Sequence, residues 1–219
     1  MALLAESKNF SSPDEDDTQN ESLNASHWGS EAPKVHLCVA GTNGSATTIS
    51  NHIKNSIGWA TNTDDYAMGT SSHNGQGTSV CNRVYSDEYC YFPLNFNGGT
   101  YERAEQSSYG AASVGHTWDQ SANDGYYYWL MALGGSHIED VSIDVIDTAT
   151  SAGDVSYTGP GFQPTCLIAI WNYSTDTGSA NKKVSSISAM GFSDGSTDAC
   201  AIGVSRDAQT TSDTSSVLC

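Results

Sequence analysis

The sequence predicts an all-β fold: a jelly-roll-like β-sandwich built from two related strand groups, preceded by an extended acidic N-terminal arm. An internal repeat is the first reason. Residues 33–41, Pro-Lys-Val-His-Leu-Cys-Val-Ala-Gly, are echoed by residues 164–172, Pro-Thr-Cys-Leu-Ile-Ala-Ile-Trp-Asn. At a fixed offset of 133, residues 57–84 and 190–217 share seven identities: Gly58, Asp65, Ser72, Gln76, Thr78, Ser79 and Val84. Composition alone would give about two in such a window. The second reason is composition. Only 15% of the 219 residues are charged, while Gly, Ser, Thr, Asn and Asp abound, as in short strands joined by many turns. The third is periodicity, since no stretch sustains a helical repeat for three turns.

Residues 1–32 are the predicted arm. They carry seven carboxylates (Glu6, Asp14, Glu15, Asp16, Asp17, Glu21, Glu31) against Lys8, with few strand-forming runs. Such an arm either stays solvated or becomes ordered along a neighbouring subunit, with Phe10 and Trp28 as apolar anchors. The sandwich follows over 33–219, as repeat A (33–84), a unique middle (85–161) and repeat A′ (162–219). Val35–Val39 alternates in polarity, whereas Cys166–Trp171 is almost continuously apolar, which suits a strand covered on both faces. Asn123-Asp124-Gly125 is a turn signal between strands at Val114–Trp118 and Tyr126–Leu133. Val141, Ile143 and Val145 interleave with Ser142 and Asp144, the alternation of a half-buried strand. A′ is followed by no middle of its own, so one sandwich is expected, not two domains. The repeated positions are glycines, apolar strand residues and turn hydroxyls, so what is duplicated is architecture.

Eight basic residues against 25 acidic ones leave a net charge of −17, which repels phosphate backbones and argues against nucleic acid as a partner. The opening Met1–Ala5 run breaks at Glu6 without a basic flank. Neither a signal peptide nor a membrane span is expected, and folding in a cytoplasm is. Six cysteines are too few and too scattered for a disulfide framework. Cys38, Cys166 and Cys200 fall within apolar strand patterns, where a thiol acts as a small hydrophobe.

Catalytic signatures are missing: no nucleophile elbow, P-loop, dinucleotide fingerprint or His-Glu-x-x-His motif. The six histidines lie far apart in sequence. His36 falls in a strand and His73 in a turn, neither with a second ligand at metal spacing, and the separation of Cys81 from Cys90 is not that of a zinc ribbon. Asp119–Gly125 offers alternating oxygens, but the EF-hand places for Gly and Glu hold Asp124 and Leu130. A turn rich in Asp and Asn is expected there, and likewise at Asp64-Asp65 and Asp194–Asp198. Glu102 and Glu105 bear no mark of a glycosidase pair. No residue is therefore assigned to catalysis, a cofactor or a metal. Tyr126-Tyr127-Tyr128-Trp129 admits two readings, cross-strand packing or a sugar platform formed by Tyr126 and Tyr128 on one face.

Four segments together carry a resemblance. They are Gly159-Pro160-Gly161-Phe162-Gln163-Pro164 before an apolar strand, Met190-Gly191-Phe192-Ser193, residues 208–214 (Ala-Gln-Thr-Thr-Ser-Asp-Thr), and Trp129-Leu130-Met131-Ala132-Leu133-Gly134-Gly135 in the middle. The set resembles a recurrent pattern in tailed-bacteriophage virion structural proteins, over most of residues 33–217. Physically, these motifs set strand entries and exits: Pro where no ladder donor is needed, Gly134-Gly135 where Cβ atoms do not fit. In the first copy Ser30-Glu31-Ala32-Pro33 replaces the Gly-Phe-Gln-Pro turn, so a remodelled strand entry is expected. The resemblance implies a non-enzymatic virion protein assembled in the host cytoplasm, first of all a decoration or cement protein on the outer capsid. Its partners would be the major capsid protein or other virion proteins, with a homo-oligomer, a trimer favoured, as its state. The alternative is a tail- or fibre-associated module recognising host-surface glycan. Phe10, Trp28, Tyr126 and Tyr128 are the candidate partner-binding residues.

Overall fold

A computed structural model of the chain describes residues 3–13, 17–41, 53–73, 77–78, 80–94, 102–120, 127–146, 151–153, 156–172, 183–206, 208, 210 and 214–218. In chain order the elements are β1 (Leu3–Ser11), β2 (Thr18–Ser22), the single turn α1 (Ala25–Trp28), β3 (Pro33–Gly41), β4 (Ile53–Ala60), β5 (Asp65–His73) and β6 (Val80–Ser86). They continue with β7 (Arg103–Gly110), β8 (Ser113–Gln120), β9 (Tyr127–Gly135), β10 (Leu167–Trp171), β11 (Lys183–Val184), β12 (Ser186–Ser193), β13 (Asp198–Ser205) and β14 (Thr214–Leu218). The fold is all-β and antiparallel. A seven-stranded sheet has the order β1-β9-β3-β4-β5-β6-β11, a four-stranded sheet β10-β12-β13-β14, and a three-stranded sheet β2-β8-β7. The seven-stranded sheet centres on the meander β3 to β6, widened by β9 and β1. The expected jelly-roll connectivity is not among the described pairings.

The repeat is reproduced strand for strand, down to the register. In A, Cys38 pairs with Gly58, Gly58 with Ala67, and Gly69 with Val84. In A′, Ala169 pairs with Gly191, Gly191 with Cys200, and Ile202 with Val217. These are equivalent positions, so the duplicated unit is a four-stranded antiparallel meander. Its second connection also matches: Thr61 N–H donates to Asp64 C=O after β4, and Asp194 N–H to Thr197 C=O after β12.

The surroundings of the two copies differ. One face of the A sheet is covered by the three-stranded sheet and by the segment 89–94. Buried Cys38, Ala40, Ala60, Cys90, Tyr91, Ala104, Trp118 and Tyr128 form one cluster across that interface. Leu4, Leu23, Trp28, Ala112, Val114, Leu130 and Ala132 form a second, and Ala67, Val84, Phe92 and Leu94 a third. The other face looks towards A′ across a cleft of about 540 Å³, lined by Val39, Ile57 and Met68 from A and by Met190, Ile202 and Leu218 from A′. Ala189 is the only hydrophobic residue of A′ among the buried core residues described.

Three expectations need correction. The segment 1–32 is not an arm, because β1 pairs with β9 over its whole length and β2 pairs with β8. Three of its charges have internal partners: Glu6 accepts from Trp28 Nε1 at 2.8 Å and from Asn24 N–H, while Lys8 bridges to buried Glu21 at 2.9 Å. Second, Val141–Val145 is no strand; it has no ladder partner among the described residues, and Val145 is exposed. Third, β10 is not covered on both faces. The continuous apolar run is real, but Leu167 (50% exposed), Ile168 (41%) and Trp171 (38%) lie open. The motif glycines behave as expected. A Cβ at Gly134 would press on Trp28 Cζ3 at 2.9 Å and Ala32 O at 3.0 Å, and Gly135 has φ of 86°. The remodelled entry to β3 is also present, as a register shift between Pro33 and Val35.

Candidate functional site

Two features are candidates. The first is the open surface of A′. Alternation along β10 places Leu167 and Trp171 on one face and Ile168 on the other, directly across from Phe192, which is 55% exposed. In copy A the equivalent of β10 is β3, whose outer edge is taken by β9 and then β1. Among the described residues β10 has β12 as its sole strand neighbour. Copy A therefore shows, within one chain, what covering such a meander takes: two more strands on the edge and a second layer on the face. Exposed apolar side chains on both faces of a sheet with an open edge are the signature of a contact surface, not of a solvated one.

The second feature lies in the first core cluster. His36 and Cys38, two apart on β3, point to the same covered face. Cys90 comes from the segment laid over that face, and His116 from β8 of the opposing sheet. All four are fully buried, and one ligand atom from each lies within 4.8 Å of the others. His36 Nε2 and His116 Nε2 are 3.1 Å apart. Tyr109 Oη donates to the Ala60 carbonyl at 2.8 Å, so at its 2.7 Å contact with His36 it acts as acceptor. That contact puts the His36 proton on Nδ1 and turns the Nε2 lone pair into the cluster. His116 is held by rings, stacked on Phe10 at 5.7 Å and edge-on to Tyr91 at 5.2 Å, and its Nδ1 has no hydrogen-bond partner. Burial holds both imidazoles neutral, lowering His36 well below its ordinary value and His116 to about 3. Burial also raises the Cys38 and Cys90 thiols. The remaining cysteines differ: Cys166 is exposed, not core, and Cys200 is in a disulfide, so neither acts as a buried thiol hydrophobe.

The four candidate binding residues fall as follows. Phe10 packs between the first two core clusters, and Trp28 is buried in the second. Both anchor the chain to itself, since β1 and α1 belong to the sandwich. Tyr128 is fully buried, paired with Phe10 across the ladder and donating its hydroxyl to buried Glu102. It is therefore no sugar platform; cross-strand packing is the reading the structure supports. Tyr126 lies outside the described residues, as do most of the loop around Asn123-Asp124-Gly125 and its oxygen ligands. Glu102 is buried and Glu105 exposed. The thiol–imidazole cluster escapes linear spacing because its members come from three distant segments. The one local trace is His36-x-Cys38, the strand spacing that places two ligands on one face.

Among the described residues no helix is long and apolar enough to cross a membrane. Comparison with known proteins finds no family model that matches the chain, and no curated protein or solved structure that matches it.

Proposed function

We propose that the chain is a non-enzymatic structural subunit of a tailed-phage virion, a decoration or cement protein that binds the outer capsid surface through repeat A′. The observation that supports this reading is the uncovered A′ meander, with Leu167, Ile168, Trp171 and Phe192 open on a sheet whose twin is covered. A charge of −17 favours a partner surface carrying basic groups around an apolar centre. The motifs that resemble tailed-phage structural proteins agree with this reading, and a trimer at capsid symmetry positions is the oligomer it favours. The glycan-recognition alternative loses Tyr128, which is buried.

The test is co-sedimentation of the purified chain with particles of the phage that encodes it. Ile168→Asp with Phe192→Asp should cut binding at least about tenfold, because each places an unpaired charge in an apolar contact. The far-UV spectrum should be unchanged. Undiminished binding by a folded double variant would remove A′ from the contact.

A further inference from the structure

We infer that His36, Cys38, Cys90 and His116 form a structural Cys₂His₂ site for a divalent, borderline-soft transition metal, zinc in the first place. The donor set comes first. Two thiols and two imidazoles converge at one point of a core otherwise built from aliphatic and aromatic side chains, brought from β3, the 89–94 segment and β8. Hard cations such as calcium take oxygen ligands, and none of the four offers one; sulfur with imidazole nitrogen selects zinc-like ions.

Geometry comes second. Zinc bonds of about 2.0–2.1 Å to nitrogen and about 2.3 Å to sulfur put tetrahedral ligand atoms about 3.3–3.8 Å apart. The two imidazole nitrogens stand at 3.1 Å and all four ligand atoms within 4.8 Å, so closure onto a metal needs shifts of about 1 Å or less.

The outer partners come third. Ala60 C=O, Tyr109 Oη and His36 Nδ1–H form a chain that fixes the tautomer presenting Nε2, which is how a metal-binding histidine is commonly oriented. His116 Nδ1 lacks such a partner, so with Nε2 on the metal its N–H would stay buried and unpaired, a cost that the metal bond must exceed.

Charge comes last. Binding M²⁺ forms two metal–sulfur and two metal–nitrogen bonds and releases the two thiol protons to solvent. Two thiolates and a dication sum to zero, the net charge that a dry core tolerates. The metal would pin β3, the 89–94 segment and β8 together, locking the three-stranded sheet onto the seven-stranded one.

The bland alternative is that both thiols are inert small hydrophobes and the imidazoles a hydrogen-bonded pair. The experiment separates the two. The full chain, expressed without a metal-binding tag in zinc-supplemented medium and kept reduced, is dialysed and its zinc measured by elemental mass spectrometry. Zinc-stripped protein is then titrated with Co²⁺. The expected result is about one zinc per chain and a cobalt spectrum with tetrahedral d–d bands and thiolate charge transfer. Cys38→Ser and Cys90→Ser should each lower bound zinc at least about tenfold, while Cys81→Ser, outside the cluster, should keep it. Zinc well below about 0.1 per chain with no tetrahedral cobalt spectrum would overturn the inference. So would full zinc in folded Cys38→Ser and Cys90→Ser. If the serine variants fail to fold, the cobalt spectrum of Cys81→Ser with Cys166→Ser decides, because that variant removes the other two free cysteines described: a retained two-thiolate band supports the site and its loss overturns it.

Discussion

Gly58 and Gly191 are the same residue of the repeat, and substituting each by alanine should give unequal results. At Gly58 a Cβ would lie 2.5 Å from Tyr66 O and 2.9 Å from Ala67 Cβ, and closer still to Cys90 O. The Cys90 carbonyl is unable to retreat: Cys90 N–H and Tyr91 N–H both donate to Ala104 O, and Ala104 N–H donates back to Tyr91 O at 3.1 Å. Overpacking of a rigid core costs about 1–3 kcal/mol, and contact with two backbone oxygens belongs at the upper end. Replacing Gly by Ala returns only about 0.4–1 kcal/mol through the unfolded chain. Gly58→Ala should thus destabilise by about 2–3 kcal/mol. At Gly191 the nearest atoms are Ala199 O at 3.3 Å, Trp171 Cζ3 at 3.5 Å and Cys200 Cβ at 3.6 Å, close to ordinary contact. There the two terms nearly cancel, leaving a change within about 0.5 kcal/mol. Equilibrium urea unfolding followed by tryptophan fluorescence reads the difference. With a slope of about 2–3 kcal/mol per molar, Gly58→Ala moves the midpoint down by about 1 M and Gly191→Ala hardly at all. Equal losses at the two sites would refute the claim that one copy is covered and the other open.

Three further outcomes follow from the same structure. Trp28→Ala should cost about 3–5 kcal/mol, and deletion of residues 1–32 should prevent folding, since that deletion removes β1, β2 and a buried indole; a stably folded truncation, seen by circular dichroism and thermal melting, would restore the arm. Burial pushes the Asp65 carboxyl from 3.8 up to about 7, opposed by its bond from Gln106 N–H and reinforced by Glu105. Its ionised form is disfavoured in the folded chain, so its contribution to stability is greatest below about pH 4 and is lost as pH rises through 7. Asp65→Asn should therefore flatten the fall in melting temperature between pH 5 and pH 8, and an unchanged slope would sink the assignment. Tyr128→Phe should remove one buried donor to Glu102 and cost on the order of 1 kcal/mol in urea unfolding, whereas a stabilised variant would contradict that role of the hydroxyl.

How much was legible depended on how local each signal is. The repeat was readable because glycine and turn positions fix register, and Gly58 with Ala67 returns as Gly191 with Cys200 in the same pairing. β1 was not, because its inward row alternates Leu4, Glu6, Lys8 and Phe10. Two charges in that row read as solvation until their partners Trp28, Asn24 and Glu21 are known. The run of β10 is legible as apolar but not as open, since sequence records what a surface wants and not what lies on it. The thiol–imidazole cluster depends on β8 and the 89–94 segment meeting β3, a long-range event with no spacing rule.

The central claim, that this is a capsid-bound structural subunit working through its uncovered A′ copy, is tested most directly by its copy number in purified virions of the encoding phage. Quantitative mass spectrometry against the major capsid protein should find on the order of hundreds of copies per particle, in a fixed ratio to capsid subunits. Virions that lack the chain would contradict the account.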